Sequence, residues 1–406
     1  MNSVITSDNE AFLPRGVLPN PAAAQYTEIT MDFSFSSEQS MLQDSVQRFI
    51  QNAYGFDARQ KIVASDEGFS REHWSHFAEM GWLGLPFSEE DGGFGGTAVE
   101  TMILLEEFGK GLVVEPYITA VLQAGGLIAK GGTAEQKQQW LEPLIAGDLL
   151  LTLAFVEPQA RFNLQDVKTT ATRSGDGFSL TGFKGVVLGG PSAEVILVPA
   201  RTSGDQKDSS GITIFAIDAN AEGVHRRNYP TIDGFRASEL TLTNVEVEAS
   251  AMIGAEGEGL ALLQFALDQG MMGTGAEAVG ATEVLYKDTV EYCKAREQFG
   301  QPIGKFQVLQ HRMVDMFIEH EQTKSLAYMA AMRLSEGYNN AASKALSALK
   351  VQVGKGGTFV GQNAVQLHGG MGMTNELNIG HYFKRLTAIE TLYGNTDFHL
   401  RRYSTL

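Results

Sequence analysis

The sequence predicts an α+β protein in which a helical N-terminal domain, a β domain and a helical C-terminal bundle follow one another. Three changes of texture carry that order. Up to Asp148, apolar residues recur at helical spacing, as in Leu42, Val46, Phe49 and Ile50. From Leu149 to Gly254 the apolar runs are short and divided by turn-forming stretches such as Ser174-Gly175-Asp176-Gly177. Beyond Gly254 the helical period returns and persists to the end. The expected parts are an extension over 1–30, a helical domain over 31–148, a β domain over 149–254 and a helical bundle over 255–406.

Residues 1–30 are rich in Pro, Ala, Asn and Ser without periodicity and read as a loose extension, with Met31-Asp32-Phe33 as an alternative start. Ser36 and Gln39 have capping-box spacing ahead of the first helix. A second begins near Ser70, turns Trp74, Phe77 and Ala78 inward, and stops at Gly81. Asp91–Gly96 carries a Gly93-x-Gly95-x-x-Ala98 pattern, but it follows no strand and reads as a loop rather than a dinucleotide fingerprint. Helices resume over Thr97–Lys110 and after Thr133, where Gln136 completes a capping-box spacing.

Strands are expected at Leu151–Phe155, Phe178–Leu180, Val195–Val198, Ile212–Ile217 and Leu240–Val247, the last interrupted at Thr243-Asn244 by a bulge or turn. No long helical pattern crosses between them, which favours an antiparallel barrel or sandwich. In the C-terminal part Leu309, Met313, Met316, Phe317 and His320 form one helical stripe, with His320 at its edge. Gly270, Gly273, Gly275 and Gly280 mark either a close approach or a broken helix.

Composition bounds the function. A net charge of −17 argues against broad nucleic-acid binding, and no apolar run is long enough for a membrane span. A single cysteine, Cys293, excludes an internal disulfide, suits a cytoplasmic protein, and reads as a buried helix residue. His73 and His76 lack the further ligands a zinc site needs, and Gly354-Lys355-Gly356-Gly357 is no P-loop.

Two segments carry the chemistry. Ala295-Arg296-Glu297-Gln298-Phe299-Gly300, followed by Ile303-Gly304-x-Phe306-Gln307, places a guanidinium with planar paired donors at the end of a long helix. Gln366-Leu367-His368-Gly369-Gly370 places two glycines where a backbone can approach a bulky ligand. Together they resemble signatures of the acyl-CoA dehydrogenase family over roughly Met31 to the C-terminus. The resemblance implies that Arg296, Phe299, Gln307, Gln366, Gly369 and Gly370 contact the ADP half of FAD in a site built mostly by a neighbouring subunit.

The other half of the family's site matches poorly. The family's Thr-Glu-Pro-x-x-Gly-Ser-Asp reads Val156-Glu157-Pro158-Gln159-Ala160-Arg161-Phe162-Asn163 here. Phe155 and Val156 keep the flavin-facing backbone positions, while the hydroxyls are gone. The Asn-Gly-x-Lys-x-Trp-Ile-Thr segment reads Thr181–Leu188, without the Trp or the Thr. Tyr393-Gly394-Asn395-Thr396 matches Tyr-Glu-Gly-Thr, so Thr396 keeps a flavin-facing position and the catalytic glutamate becomes Gly394. The family's alternative glutamate position is Gly270. Asp268, Glu390 and Asp397 are the nearest carboxylates in sequence and read as ordinary helix or loop charges.

The run including Val114-Glu115-Pro116-Tyr117 and Gly380–Leu386 is most similar to the small subunits of pimeloyl-CoA dehydrogenases. The resemblance implies a tetramer with a second subunit that carries the catalytic glutamate, and an acyl-CoA thioester as substrate. A self-sufficient enzyme with a displaced base, for which Asp397 and Glu390 are the candidates, and a non-enzymatic acyl-CoA-binding or scaffolding protein are the alternatives.

Overall fold

The computed structural model describes residues 35–406, so the expected extension over 1–30 lies outside the described residues. Four helices open the described chain: α1 (Ser37–Ala53), α2 (Phe56–Ala64), α3 (Arg71–Glu79) and α4 (Ala98–Gly111). Ser70 caps α3 by accepting from the His73 N–H at 3.2 Å, and Thr97 and Glu100 close a reciprocal capping box on α4. Their inner faces meet in an aromatic cluster, with Phe77 between Phe49 at 5.3 Å and Phe108 at 5.0 Å. His73 and His76 pack against Phe49 in the same cluster. A π-helical segment, Ile118–Gly125, runs into α5 (Gly126–Gly131), and α6 (Ala134–Gln136) and α7 (Glu142–Ala146) complete the region.

The β domain is one eight-stranded sheet. Its strands are β1 (Leu151–Leu153), β2 (Thr170–Ser174), β3 (Gly177–Leu188), β4 (Val195–Arg201), β5 (Ile212–Asp218), β6 (Val224–Pro230), β7 (Arg236–Val247) and β8 (Met252–Ile253). The order is β6-β7-β3-β2-β4-β5-β8, with β1 beside β4. Antiparallel pairing predominates, and β1 and β2 each add a short parallel pairing with β4. Phe178, Leu180, Ile196, Val198, Phe215, Ile217, Leu240, Leu242 and Val245 form the sheet's core. Asn244 takes φ +50, and the β3–β7 register shifts between Leu180↔Val245 and Gly182↔Leu242, which makes the Thr243-Asn244 irregularity a bulge. Two strands, β2 and β6, have largely polar sequences and were not foreseen. Their partners hold them in register, and β6 lies at a sheet edge.

The C-terminal bundle is built on α8 (Gly259–Ala295), α9 (Gln307–Ser335) and α10 (Asn340–His368), followed by α11 (Ile379–Thr391) and α12 (Thr396–Thr405). A two-stranded hairpin, β9 (Glu297–Gln298) with β10 (Gln301–Pro302), joins α8 to α9. The α8 glycines mark close approaches, since the helix is continuous. A Cβ at Gly280 would lie 1.9 Å from Glu106 O, and one at Gly275 would lie 2.5 Å from Leu349. The α9 stripe differs from expectation: His320 is buried beneath the surface, whereas Phe317 is exposed.

His320 accepts or donates at 3.0 Å to the Thr282 hydroxyl, and burial lowers its pKa to about 4. His399 is lowered to about 3 by burial and by Lys350. An unfolded histidine takes its proton near pH 6.5. The unfolded chain therefore binds these protons below about pH 6.5 while the folded chain does not. Their stabilising contribution is intact above that pH and is lost as pH falls toward 4 and 3. Urea midpoints should thus fall between about pH 6.5 and 4.5, and His320→Gln should flatten part of that fall; an unchanged slope in the variant would contradict the assignment.

Candidate functional site

The first group of site residues gathers where α8 and α10 end. Arg296 leaves α8 in an extended conformation and is exposed. The chain then turns back at Phe299-Gly300, both left-handed, with φ +54 and +80, as a two-residue hairpin requires. Ile303 N–H donates to Arg296 O at 2.8 Å and fixes the base of the hairpin. Gly304, in the short turn after β10, presses on α8, where a Cβ would lie 3.0 Å from Cys293 O. Phe299 is 93% exposed at the tip. Gln307 and Gln366 are exposed on α9 and α10. Gly369 caps α10 with φ +61, and a Cβ on Gly369 or Gly370 would meet nothing within 4 Å. All six predicted residues are thus exposed, and they offer a guanidinium and two amides as donors.

The second group lies where β1 meets the helices. Phe155 and Val156 are half-buried, and Val156 O accepts from Gly185 N–H at 2.8 Å. The loop after them is anchored by Glu157, whose carboxylate accepts from Lys184 Nζ at 2.7 Å, the Thr169 hydroxyl at 2.7 Å and Lys168 N–H at 2.7 Å. Burial opposes the Glu157 charge, but Lys184 and these hydrogen bonds hold its pKa down to about 2. Arg161 keeps a left-handed φ of +51. Phe162 turns toward Phe398 of α12, ring centroids 5.5 Å apart. This pair and Arg401, Arg402, Gln264 and Ser210 border a groove of about 750 Å³.

Neither glycine in the base positions leaves room for a side chain. A Cβ on Gly394, at φ +117, would lie 2.5 Å from Phe398 and 2.6 Å from His399. A Cβ on Gly270 would lie 2.7 Å from Gln123 and 2.9 Å from the Tyr393 ring. Tyr393 fills that space: its hydroxyl donates to Gln123 Oε1 at 3.2 Å and its ring stacks on Phe155 at 6.3 Å. Burial pushes the Tyr393 hydroxyl pKa up, so it stays protonated.

Two of the three neighbouring carboxylates are engaged. Glu390 accepts from the Thr396 N–H at 3.0 Å and hydroxyl at 3.1 Å, which also spends the Thr396 hydroxyl within the chain. Asp268 accepts from Arg402 at 2.9 Å on both oxygens, from Tyr338 at 2.8 Å and from Gln264 at 2.9 Å. Asp397 is exposed in the first turn of α12. Sequence reasoning missed Glu277, which lines a cavity of about 40 Å³ beside Tyr393, Leu392 and Thr274. Glu277 pairs with Arg385, which also donates to Asp233 at 2.8 Å; burial raises the Glu277 pKa against the pull of Arg385. In sequence these three charges are far apart and look like any solvated helix or loop charge.

Because the site tolerates nothing larger than hydrogen at 394, Gly394→Ala should destabilise the chain by about 2 kcal/mol or more through clash and strain. A thermal midpoint equal to that of the parent would contradict this packing.

Comparisons with known proteins agree with the architecture. Residues 36–148 match the acyl-CoA dehydrogenase N-terminal domain, 152–245 the middle domain and 257–404 the C-terminal domain. The chain is 30% identical over 377 residues to a short-chain specific acyl-CoA dehydrogenase of Clostridium acetobutylicum, covering 90% of this chain and 97% of that one. Among solved structures it is similar to the FAD complex of PigA, with a TM-score of 0.86 at 27% identity over 92% of this chain and 98% of that one. It is also similar to a chain of the ChsE4-ChsE5 complex from Mycobacterium tuberculosis, with a TM-score of 0.83 at 26% identity over 92% and 98%.

Proposed function

Because the chain belongs to the acyl-CoA dehydrogenase family, we propose that it is the base-lacking subunit of a cytoplasmic, hetero-oligomeric FAD-dependent acyl-CoA dehydrogenase, similar to pimeloyl-CoA dehydrogenase small subunits. FAD is the family's cofactor, and PigA, a structural relative, is known as an FAD complex. FAD, when bound, supplies the hydride acceptor for α,β-dehydrogenation. The observation that carries the proposal is the contrast between the two groups of residues. The open cradle of Arg296, Phe299, Gln307, Gln366, Gly369 and Gly370 fits the pyrophosphate-bearing half of FAD. The ring side fits poorly: Val156, Val186 and Leu188 offer no side-chain donors, and Tyr393 packs on Phe155.

The division of labour follows. Removing an α-proton beside a thioester needs a positioned carboxylate, worth about 10²–10⁴-fold. Glycine supplies none of it at 270 or 394, and a paired or capping carboxylate is not free to approach a substrate carbon. A second family member carrying the glutamate therefore provides the ring pocket, the base and the acyl-CoA site. This chain holds the ADP portion of that partner's FAD. A structural relative, the ChsE4-ChsE5 complex, is itself an assembly of two named chains. A tetramer of two such pairs would be the assembly.

Two measurements test this. The chain purified alone should turn over no acyl-CoA, while the complex with its glutamate-bearing partner should; full FAD loading and turnover by the lone chain would remove the proposal. In the complex, Arg296→Ala should lower FAD retention by at least ~10-fold, the loss of a charge-assisted contact. Unchanged retention would reject the role given to Arg296.

A further inference from the structure

Arg296 and the Gly369-Gly370 turn come from different helices, and something must hold them at a fixed spacing to clasp one ligand. Four residues before Arg296, in the last turn of α8, stands Tyr292. One residue before Gly369, at the last position of α10, stands His368. Their rings stack, centroids 4.3 Å apart and planes 30° apart. The Tyr292 hydroxyl also donates to His368 O at 3.5 Å, the long end of a hydrogen bond, on the peptide leading into Gly369. His368 is 4% exposed, and its Nδ1 lies 2.8 Å from Ala364 O, so the imidazole is fixed in the last turn of α10. On the other side Tyr292 O accepts the Arg296 N–H at 2.8 Å. A continuous chain of contacts therefore runs from the Arg296 backbone through Tyr292 to His368 and Gly369.

Resting on the function proposed above, we propose that Tyr292 and His368 form a clamp that sets the distance between Arg296 and the Gly369-Gly370 turn, and that Tyr292 is a positioning residue for FAD. The ring contact at the open side, Phe299 on Phe306 at 6.2 Å, lies within the segment joining α8 to α9 and does not reach Gly369. Phe299 is 93% exposed, and Gly369 and Gly370 have no neighbour within 4 Å of a Cβ position. The stack is the direct side-chain link between the two helix ends that carry the donors. Its ring faces supply most of the restraint, because aromatic pairs of this kind act through area and quadrupole as well as the hydrogen bond.

The test is a double-mutant cycle read as FAD affinity of the assembled complex, by quenching of free flavin fluorescence. Tyr292→Phe, which keeps the ring, should bind FAD within about twofold of the parent, and Tyr292→Ala should bind roughly tenfold more weakly. The Arg296→Ala loss should shrink to less than half as many fold in the Tyr292→Ala background, because residues acting as a unit are not additive. Full additivity, or parental affinity in Tyr292→Ala, would overturn the clamp. Should Tyr292→Ala fail to assemble, His368→Leu supplies the same comparison. It removes the imidazole face and keeps the burial. Full FAD loading and turnover by this chain alone would instead overturn the underlying function, so the two failures are distinguishable.

Discussion

Backbone contact between α8 and α4 sets the geometry on which the rest of the molecule depends. A Cβ at Gly109 of α4 would lie 2.1 Å from Glu277 O, and one at Gly280 of α8 would lie 1.9 Å from Glu106 O. Each helix thus places a glycine against the other's carbonyl, and neither position admits a methyl group. Glycine in a helix interior costs roughly 1 kcal/mol relative to alanine, which this approach offsets by packing two long helices at their closest. With α8 seated there, its N-terminal half faces Tyr393 and Gln123, and its C-terminal end delivers Arg296 to the surface.

The two halves of that helix meet different surroundings. At the C-terminus of α8 the backbone turns into an exposed hairpin, and in its N-terminal half Gly270 meets a packed tyrosine. Backbone strain stands beside both and in the loop after β1. Arg161, Phe299 and Tyr393 hold left-handed φ values of +51, +54 and +60, each costing of order 1–3 kcal/mol. All three stand in the segments that resemble flavin-contacting motifs. None of the three is a glycine, so the packing around each must hold its backbone in that conformation.

The helix–sheet–helix order was legible because periodicity reports which faces are buried, and capping at Thr97 and Thr133 marks where helices begin. The glycines of α8 were ambiguous, since sequence gives their conformational cost but not the neighbour that requires them. Polar strands β2 and β6 gave no alternation to read. In the candidate site the exposed donors were expected from the resemblance to family motifs, whereas the closure of the base positions was not expected at all. Gly394 and Gly270 say only that a glutamate is missing. That Tyr393, Gln123, Phe398 and His399 occupy the space depends on contacts between elements far apart in the chain. Thr396 shows the same limit, because its hydroxyl faces Glu390 rather than the open side.

The most direct measurement is the flavin stoichiometry of the complex formed with a glutamate-bearing partner, determined by absorbance against protein concentration at saturating FAD. One FAD for each pair of unlike chains is the result predicted when this chain lends its cradle and keeps no ring pocket. Two FAD for each pair, or one tightly held by this chain in isolation, would contradict the account.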